Sequence, residues 1–234
     1  MTQQRQIYEQ VWDKTYLECH APKLQMVLSL TENLDPHVVL DLGCGDGIIS
    51  HEILKQTYCT LIGIDISVNN IRHARSRVPH LLIADLEHPL PFRSSTLDLC
   101  LALDIIEHVI DTDNFLLEIH RVLTNTGKLI LVTPNLASLT ERLLLLFGYQ
   151  PQNVEVSRIK KFGSIRKTPP VGHFRGFTWP ALKEMLQYYG FRIDEFRVTT
   201  YYTGLLKVMD HVVGRLKKTF ASLFVVRCEK NDLS

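Results

Sequence analysis

Short apolar runs alternate with helix-length segments through the middle of the chain. Strands that are apolar on both faces and separated by such segments are typical of a parallel sheet built from right-handed crossovers. The pattern therefore predicts an α/β fold. The predicted strands span Val38–Leu42, Leu61–Asp65, Leu81–Asp85, Leu97–Leu103, Lys128–Thr133, Phe191–Val198 and Leu223–Cys228.

Two of the intervening segments carry helix-end signals. Asp113 is predicted to cap a helix with apolar residues on one face, and the segment 125–127, Asn-Thr-Gly, to end that helix with a left-handed turn. Thr178 is predicted to cap a second helix over Trp179–Tyr189, which ends at Gly190.

Composition narrows the class of protein. The chain has 234 residues, 45% of them hydrophobic and 22% charged, with a net charge of +1. These values exclude a mostly disordered chain or a collagen-like repeat, and no strong global field gathers nucleic acid. Five cysteines without a CxxC pair favour reduced thiols in a cytoplasmic protein. The N-terminus lacks the apolar core of a signal peptide, and no apolar run reaches the roughly 18 residues of a membrane span.

A glycine-rich loop follows the first predicted strand. Three glycines stand at alternate positions, Gly43, Gly45 and Gly47, and an acid, Asp41, precedes them. Glycines there permit a tight turn and close approach of a ligand to the backbone. A dinucleotide fingerprint would place its third glycine at Ile48. The loop therefore predicts a ligand site at the carboxyl ends of the strands, and Ile48 argues against a nicotinamide-dependent oxidoreductase.

This loop resembles motif I of class I S-adenosylmethionine (SAM)-dependent methyltransferases. Later segments resemble the ubiquinone/menaquinone-biosynthesis (type 11-like) subgroup: D-I-I-E-H-V and G-K-L-I-L-V-T-P-N within 97–135, and the H-x-R-x-F-T segment at 173–178. The resemblance covers roughly residues 38–195. It implies a Rossmann-like seven-stranded sheet, mostly parallel with an antiparallel last strand, helices on both faces, and methyl transfer from SAM.

The resemblance also assigns cofactor contacts. Asp41 would hold the ammonium group of SAM, Asp65 its ribose diol, and Asp85 its adenine amino group. Asp41 as a helix cap and Asp85 as part of a plain turn are the structural alternatives. The full predicted set is Asp41, Gly43, Cys44, Gly45, Gly47, Asp65, Ile66, Asp85, Leu86 and Leu103.

The resemblance assigns activation of the acceptor, the molecule that receives the methyl group, to two histidines, His108 and His173. His108 is either a general base or a structural element of the loop after the fourth strand. Asp104, Glu107 and His108 also resemble the E-x-x-E-H pattern of metal-dependent relatives that methylate vicinal hydroxyls, with His173 as a further ligand. Asp104 in place of the first glutamate departs from that pattern, so the metal-free interpretation is preferred.

One domain is predicted, with two segments that shape the acceptor site. A lid is expected over about residues 1–34, where Tyr8, Trp12 and Tyr16 share a helical face; packing on the sheet is the alternative. An inserted substrate-covering segment is expected over about 137–172. Its apolar run at 143–147 predicts a buried helix or a hydrophobic contact.

Residues 205–220 form an amphipathic, basic helix in this interpretation. Packing of the apolar stripe on the sheet is favoured, and contact with a membrane surface, with a lipid-linked acceptor, is the alternative. The stripe is Leu205, Met209, Val212, Val213, Leu216 and Phe220, beside the basic residues Lys207, Arg215, Lys217 and Lys218.

The predicted function is methyl transfer to a small-molecule acceptor at oxygen. A protein or RNA methyltransferase is a second hypothesis, and a non-catalytic SAM-binding regulator is a third. The RNA hypothesis depends on a basic patch, Arg158, Lys160, Lys161, Arg166 and Lys167.

Overall fold

The protein is built on a seven-stranded sheet with the strand order β3-β2-β1-β4-β5-β7-β6. The computed structural model describes residues 14–165, 168–202 and 204–232. Strand β7 runs antiparallel to both β5 and β6, while the pairs among β1 to β5 are parallel. This confirms the predicted fold class. The strands are β1 (Val38–Leu42), β2 (Thr60–Asp65), β3 (His80–Ile83), β4 (Leu97–Leu103), β5 (Leu123–Pro134), β6 (Phe191–Thr199) and β7 (Leu223–Lys230).

Helices cover both faces of this sheet. The described helices are α1 (Lys14–Thr31), α2 (Ile48–Leu54), α3 (Val68–Ala74), α4 (Thr112–Val122), α5 (Leu139–Leu146), α6 (Trp179–Tyr188) and α7 (Gly204–Leu216). Phe115 of α4 and Leu182 of α6 belong to the core on one face, whereas Val27 of α1 and Ile53 of α2 belong to the core on the other. Alternate strand residues point into the two cores, which explains why the central strands are apolar on both faces.

Three local predictions fail. Asp111 rather than Asp113 caps α4, since its side chain accepts a hydrogen bond from the backbone N–H of Asn114. No left-handed turn ends that helix, because the chain passes from α4 directly into β5 and Gly127 lies within that strand. Strand β3 is not buried, since it forms the sheet edge and Ile83 is 56% exposed.

The signals around α6 are confirmed. The hydroxyl of Thr178 accepts from the backbone N–H of Ala181 at 3.5 Å, and the helix follows at Trp179. Gly190 follows the helix with a φ of +75°, the left-handed conformation that favours glycine at this position.

The orientation of α7 contradicts the favoured prediction. Met209, Val212 and Leu216 point away from the sheet and are 53%, 51% and 83% exposed, whereas Asp210 and Gly214 face inward. Among the described residues, no helix is long and apolar enough to cross a membrane.

Of the predicted lid, Tyr8 and Trp12 lie outside the described residues, as does the side chain of Tyr16. The part that is described, α1, packs on the sheet through Val27 and Leu30.

Candidate functional site

A cleft of about 590 Å³ opens at the sheet edge where β1, β2 and β4 end. Chain order brings the loops after these parallel strands together, because β1 lies between β2 and β4. The lining includes His108 and His173 and every predicted cofactor residue except Gly47. The cleft therefore collects residues that are separated by more than half of the sequence.

Gly43 and Gly47 shape the glycine-rich loop in different ways. Gly43 has a φ of +75°, and a Cβ atom there would lie 2.6 Å from Cδ1 of Ile105. Gly47, with a φ of +77°, begins α2 and lies against α3 and the turn after it, where a Cβ would come 2.8 Å from Cγ2 of Val78. The glycine at 43 thus lets the loop pack against Ile105, and the glycine at 47 lets the start of α2 pack against α3 and Val78.

Asp65 fixes the end of β2 to the glycine-rich loop. One carboxylate oxygen accepts from the backbone N–H of Gly45 at 2.9 Å, and the other accepts from the N–H of Ser67 at 2.8 Å and from the side-chain amide of Asn70 at 3.2 Å. Burial raises the pKa of Asp65, and these three bonds oppose the rise. A carboxylate has about four lone-pair sites, so this one is nearly saturated by the chain.

Asp41 lies inside the same end of the cleft and is 3% exposed. The hydroxyl of Ser50, on α2, donates to its carboxylate, which supports a structural tie between β1 and α2 beside the predicted role in cofactor binding. Burial raises the pKa of Asp41 to about 6, aided by the charge of Asp65 and opposed by the Ser50 bond and by Lys23.

The remaining predicted cofactor residues line the cleft in distinct settings. Asp85 is exposed and accepts from the backbone N–H of Glu87 at 3.0 Å, so the predicted turn is present. Ile66 is exposed and Leu103 is buried. Cys44 packs against β2, where its Sγ lies 2.8 Å from the position of a Cβ on Gly63, and burial raises the pKa of its thiol. Leu86 also lines the cleft.

The two histidines meet in the part of the cleft formed by the loop after β4 and the segment before α6, which we call the histidine end. The ring centroids of His108 and His173 are 4.7 Å apart in an edge-on arrangement. Nδ1 of His108 lies 3.1 Å from the carbonyl oxygen of Gly172. Since a carbonyl only accepts, Nδ1 carries the proton in this pair, and Nε2 is the unprotonated nitrogen of the neutral ring. Burial lowers the pKa of both rings, to about 3 for His173.

Buried polar atoms at this end lack partners. Oδ1 of Asp104, Oε1 of Glu107 and Nδ1 of His173 are buried, and within the described part of the chain none has a hydrogen-bond partner. Glu107 is 1% exposed and accepts from the hydroxyl of Thr133 at 2.9 Å through its other oxygen. Burial, with a further contribution from Asp104, raises the pKa of Glu107, which therefore favours the neutral acid.

Comparison with known proteins finds a family match for the central segment of the chain. Residues 40–131 match the family model described as a methyltransferase domain, a range that runs from β1 to β5 and includes Asp41, the glycine-rich loop, Asp65 and His108. The recognition made from the motifs is confirmed for this part of the chain.

Two relatives are similar to this chain over about half of its length. A malonyl-[acyl-carrier protein] O-methyltransferase of Hamiltonella defensa is 32% identical over 49% of this chain and 45% of its own length. The human mitochondrial ubiquinone biosynthesis O-methyltransferase is 31% identical over 48% of this chain and 32% of its own. The matches thus span less than half of each of these relatives.

The fold extends beyond the matched segment. A SAM-dependent methyltransferase of Thermotoga maritima, a possible histamine N-methyltransferase, superposes with a TM-score of 0.65 at 20% identity. That superposition covers 97% of this chain and 100% of the other. The described part of the chain therefore shares its fold with this neighbour well beyond residues 40–131.

Among the cleft residues that the sequence analysis missed are Lys23, Asn153 and Tyr201. Lys23 is 2% exposed and forms an ion pair with Asp104, whose φ of +53° is unusual for a residue other than glycine. A signal existed for Lys23, because it shares a helix face with Val27 and Leu30. Asn153 and Tyr201 carried no such pattern.

The inserted segment reaches the cleft through hydrogen bonds. The side-chain amide of Asn153 donates to the hydroxyl oxygen of Tyr201 at 3.1 Å and to Oε1 of Glu141 at 3.2 Å. The N–H groups of Phe174 and Arg175 donate to the carbonyl oxygen of Glu107. The segment is thus anchored beside the histidines.

The donor set at the histidine end fits a transition metal better than Mg²⁺. One ligand atom from each of Glu107, His108 and His173 lies within 4.8 Å of the other two. Two imidazoles and a carboxylate suit zinc, manganese or iron, whereas Mg²⁺ prefers oxygen ligands. Asp104, the fourth predicted ligand, is paired with Lys23 instead.

Proposed function

We propose that the protein transfers a methyl group from SAM to the oxygen of a small-molecule acceptor. The observation that carries this proposal is that one cleft is lined by Asp41 and Asp65 and also by His108, whose Nδ1 is held by the carbonyl of Gly172. Two of the similar proteins are named as O-methyltransferases, which supports oxygen as the acceptor atom.

The part of the cleft that Asp41 and Asp65 line, which we call the cofactor end, binds and orients SAM in this proposal. SAM supplies an electrophilic methyl group carried on a sulfonium. Three hydrogen bonds from the chain hold the carboxylate of Asp65, which would offer its remaining lone-pair site to the ribose diol, and Asp41 would offer its negative charge to the ammonium group. Because both carboxylates are fixed by the chain, little reorganisation opposes binding.

The histidine end of the cleft, which we also call the acceptor end, removes a proton from the acceptor hydroxyl in this proposal. The acceptor oxygen forms its bond to the methyl carbon as the carbon–sulfur bond breaks, and the electron pair of that bond stays on sulfur. The hydroxyl proton passes to Nε2 of His108, which the bond from Nδ1 to Gly172 keeps in the correct tautomer. General-base catalysis of this kind contributes about 10²- to 10⁴-fold.

A metal-assisted variant is the competing mechanism. Glu107, His108 and His173 would hold the ion, which would lower the pKa of a bound hydroxyl. We favour the metal-free mechanism, because His108 alone supplies the base that the reaction needs. Turnover that persists after dialysis against a chelator supports this choice, and loss of turnover that only zinc or manganese restores contradicts it.

Calorimetric titration with S-adenosylhomocysteine tests the cofactor assignment. We expect micromolar binding, weakened about 10-fold or more by Asp65→Ala, which is roughly 1.4 kcal/mol. NADH is the control ligand. No binding of S-adenosylhomocysteine, or a preference for NADH, would overturn the assignment.

Release of S-adenosylhomocysteine from SAM tests the reaction class. The acceptors to compare are small phenols with and without a vicinal hydroxyl, a peptide mixture and total RNA. Turnover with a phenol supports the proposal, and turnover with peptide or RNA alone replaces it. Cofactor binding without turnover in any mixture favours the non-catalytic regulator.

A further inference from the structure

Helix α7 turns its apolar side away from the protein. Its inward side carries Asp210 and Gly214, both buried. Asp210 accepts from the hydroxyl of Ser222 at 2.7 Å, and a Cβ on Gly214 would lie 3.0 Å from the Cβ of Ala221. A polar bond and a close backbone contact thus fix the helix. Exposed fractions of 43% to 83% are found for the outward apolar residues Leu206, Val208, Met209, Val212 and Leu216.

Helix α5 has the same inverted arrangement. Its buried inward residue is Glu141, which accepts from the N–H of Gln152 at 2.7 Å and from the amide of Asn153 at 3.2 Å. The apolar residues point outward and are 46% to 75% exposed, namely Leu143, Leu145, Leu146 and Phe147. Soluble helices usually bury such residues, so two neighbouring inverted helices indicate a surface that meets something apolar.

The two helices border one surface. The ring of Phe220, just after α7, lies 5.2 Å from the guanidinium of Arg142 on α5 and 5.1 Å from Nζ of Lys217. The amide of Asn135 donates to the carbonyl of Thr219 at 2.9 Å, which joins the start of α5 to the end of the α7 region. We call the outward sides of α5 and α7, with Phe147 and Phe220, the docking face.

The charge of the docking face has one sign. In segments 139–165 and 204–220 the acids are Glu141, Glu155 and Asp210, and all three side chains point inward to partners. The exposed cations of α5, α7 and the residue after α7 include Arg142, Lys207, Arg215 and Lys217. Nζ of Lys218, in contrast, donates to the carbonyl oxygen of Phe196. The net charge of the whole chain is only +1, so this positive charge is a local feature.

We propose that the docking face binds the surface of an anionic lipid bilayer. Exposed leucine, valine and phenylalanine side chains beside lysine and arginine match the acyl boundary and the anionic headgroups respectively. Self-association through this face would bring like charges together in a two-fold interface, so a second copy of the chain fits it less well. The proposal is independent of the proposed function, because membrane binding needs neither SAM nor turnover.

The docking face lies close to the acceptor end of the cleft. Glu141 of α5 is bonded to Asn153, and both Asn153 and Tyr201 line the cleft. One layer of hydrogen bonds therefore separates the surface that we assign to lipid from the site that we assign to the acceptor.

Co-sedimentation with vesicles tests the proposal. We expect the full chain to bind phosphatidylcholine vesicles that contain phosphatidylglycerol, to bind pure phosphatidylcholine weakly, and to lose binding as salt is added. Arg215→Glu and Lys207→Glu should each weaken binding about fivefold or more. Lys183→Glu, on α6, is the matched control for charge and should leave binding unchanged.

Apolar substitutions complete the test. Met209→Glu and Leu216→Glu should reduce vesicle binding about 10-fold, whereas Leu117→Glu, an exposed leucine on α4, should not. Retained affinity for S-adenosylhomocysteine shows that each variant is folded. Absence of binding to anionic vesicles overturns the proposal. So does a dimer that Met209→Glu converts to a monomer while the wild type ignores vesicles.

Discussion

The two ends of the cleft hold their ionisable groups in opposite ways. At the cofactor end, Asp65 accepts three hydrogen bonds from the chain and Asp41 is tied to Ser50. At the acceptor end, Asp104, Glu107 and His173 each keep a buried polar atom with no partner in the part of the chain that the structure describes.

This difference shows which end is complete before ligands arrive. A buried polar atom without a partner costs about 1–3 kcal/mol. The fold therefore stores an unfavourable free energy at the acceptor end, which a ligand with matching polar groups would relieve. At the cofactor end, no carboxylate oxygen of Asp41 or Asp65 is buried without a partner, although burial of the ionised Asp41 carboxylate carries a cost of its own. We expect cofactor affinity to be a property of the fold, and acceptor recognition to depend on the groups that fill the unsatisfied end.

The largest expected effect separates the two ends by kinetics. His108→Asn removes the proposed base, so turnover should fall about 10²- to 10⁴-fold with the first acceptor that the wild type methylates. The affinity for S-adenosylhomocysteine should stay within about twofold, because His108 lies outside the cofactor end. His120→Asn is the matched control, since His120 is also buried against a carbonyl, that of Asn231, but lies outside the cleft. Equal turnover in wild type and His108→Asn would show that the histidine is structural.

The second prediction uses the pH dependence of stability. The pKa of Asp41 is raised to about 6 by burial, so folding favours the protonated form. Protonated Asp41 therefore adds to the free energy of unfolding below its unfolded pKa. This contribution, up to about 3 kcal/mol, is lost as the pH rises through about 6. Chemical denaturation from pH 4 to 7 should show this loss in the wild type but not in Asp41→Asn. Cofactor affinity should rise over the same window, because the ionised carboxylate attracts the ammonium group. Parallel stability curves for the two proteins would contradict the prediction.

Sequence reasoning succeeded where chain order alone fixes neighbours. Asp41 and Asp65 lie near the carboxyl ends of the adjacent parallel strands β1 and β2, so their meeting at one edge follows from the strand order. Sequence reasoning failed where a distant segment supplies a residue of the cleft: Lys23 comes from α1, and Asn153 comes from the inserted segment 137–172. Periodicity also shows which residues of α7 share a face, but not what that face meets. For that reason, the sequence favours packing of the stripe containing Met209 on the sheet, although this residue points outward.

The third prediction concerns the saturated carboxylate. Asp65→Asn keeps the shape of the side chain but replaces one acceptor oxygen with a donor, and so places an N–H against an existing donor group. Affinity for S-adenosylhomocysteine should fall by about 10-fold, roughly 1.4 kcal/mol, and Asp65→Ala should lose at least as much. Calorimetry measures both, with Asp98→Asn as a carboxylate control, because Asp98 accepts from the N–H groups of His37 and Val38 outside the cleft. Unchanged affinity in both Asp65 variants would place the ribose elsewhere.

The smallest expected effect is at the unsatisfied end. Burial raises the pKa of Glu107, so at pH 7 the side chain favours the neutral acid, and Glu107→Gln should change stability by less than about 1 kcal/mol. As the pH rises through the raised folded pKa, the wild type must ionise a buried group and loses stability, while the amide does not. Urea denaturation at pH 7 and pH 9, in the presence of a chelator, should therefore show a growing advantage for Glu107→Gln. If the wild type is at least as stable as Glu107→Gln at pH 9, Glu107 is ionised in the native fold and a partner satisfies its Oε1. The contrast between the two ends of the cleft would then no longer hold.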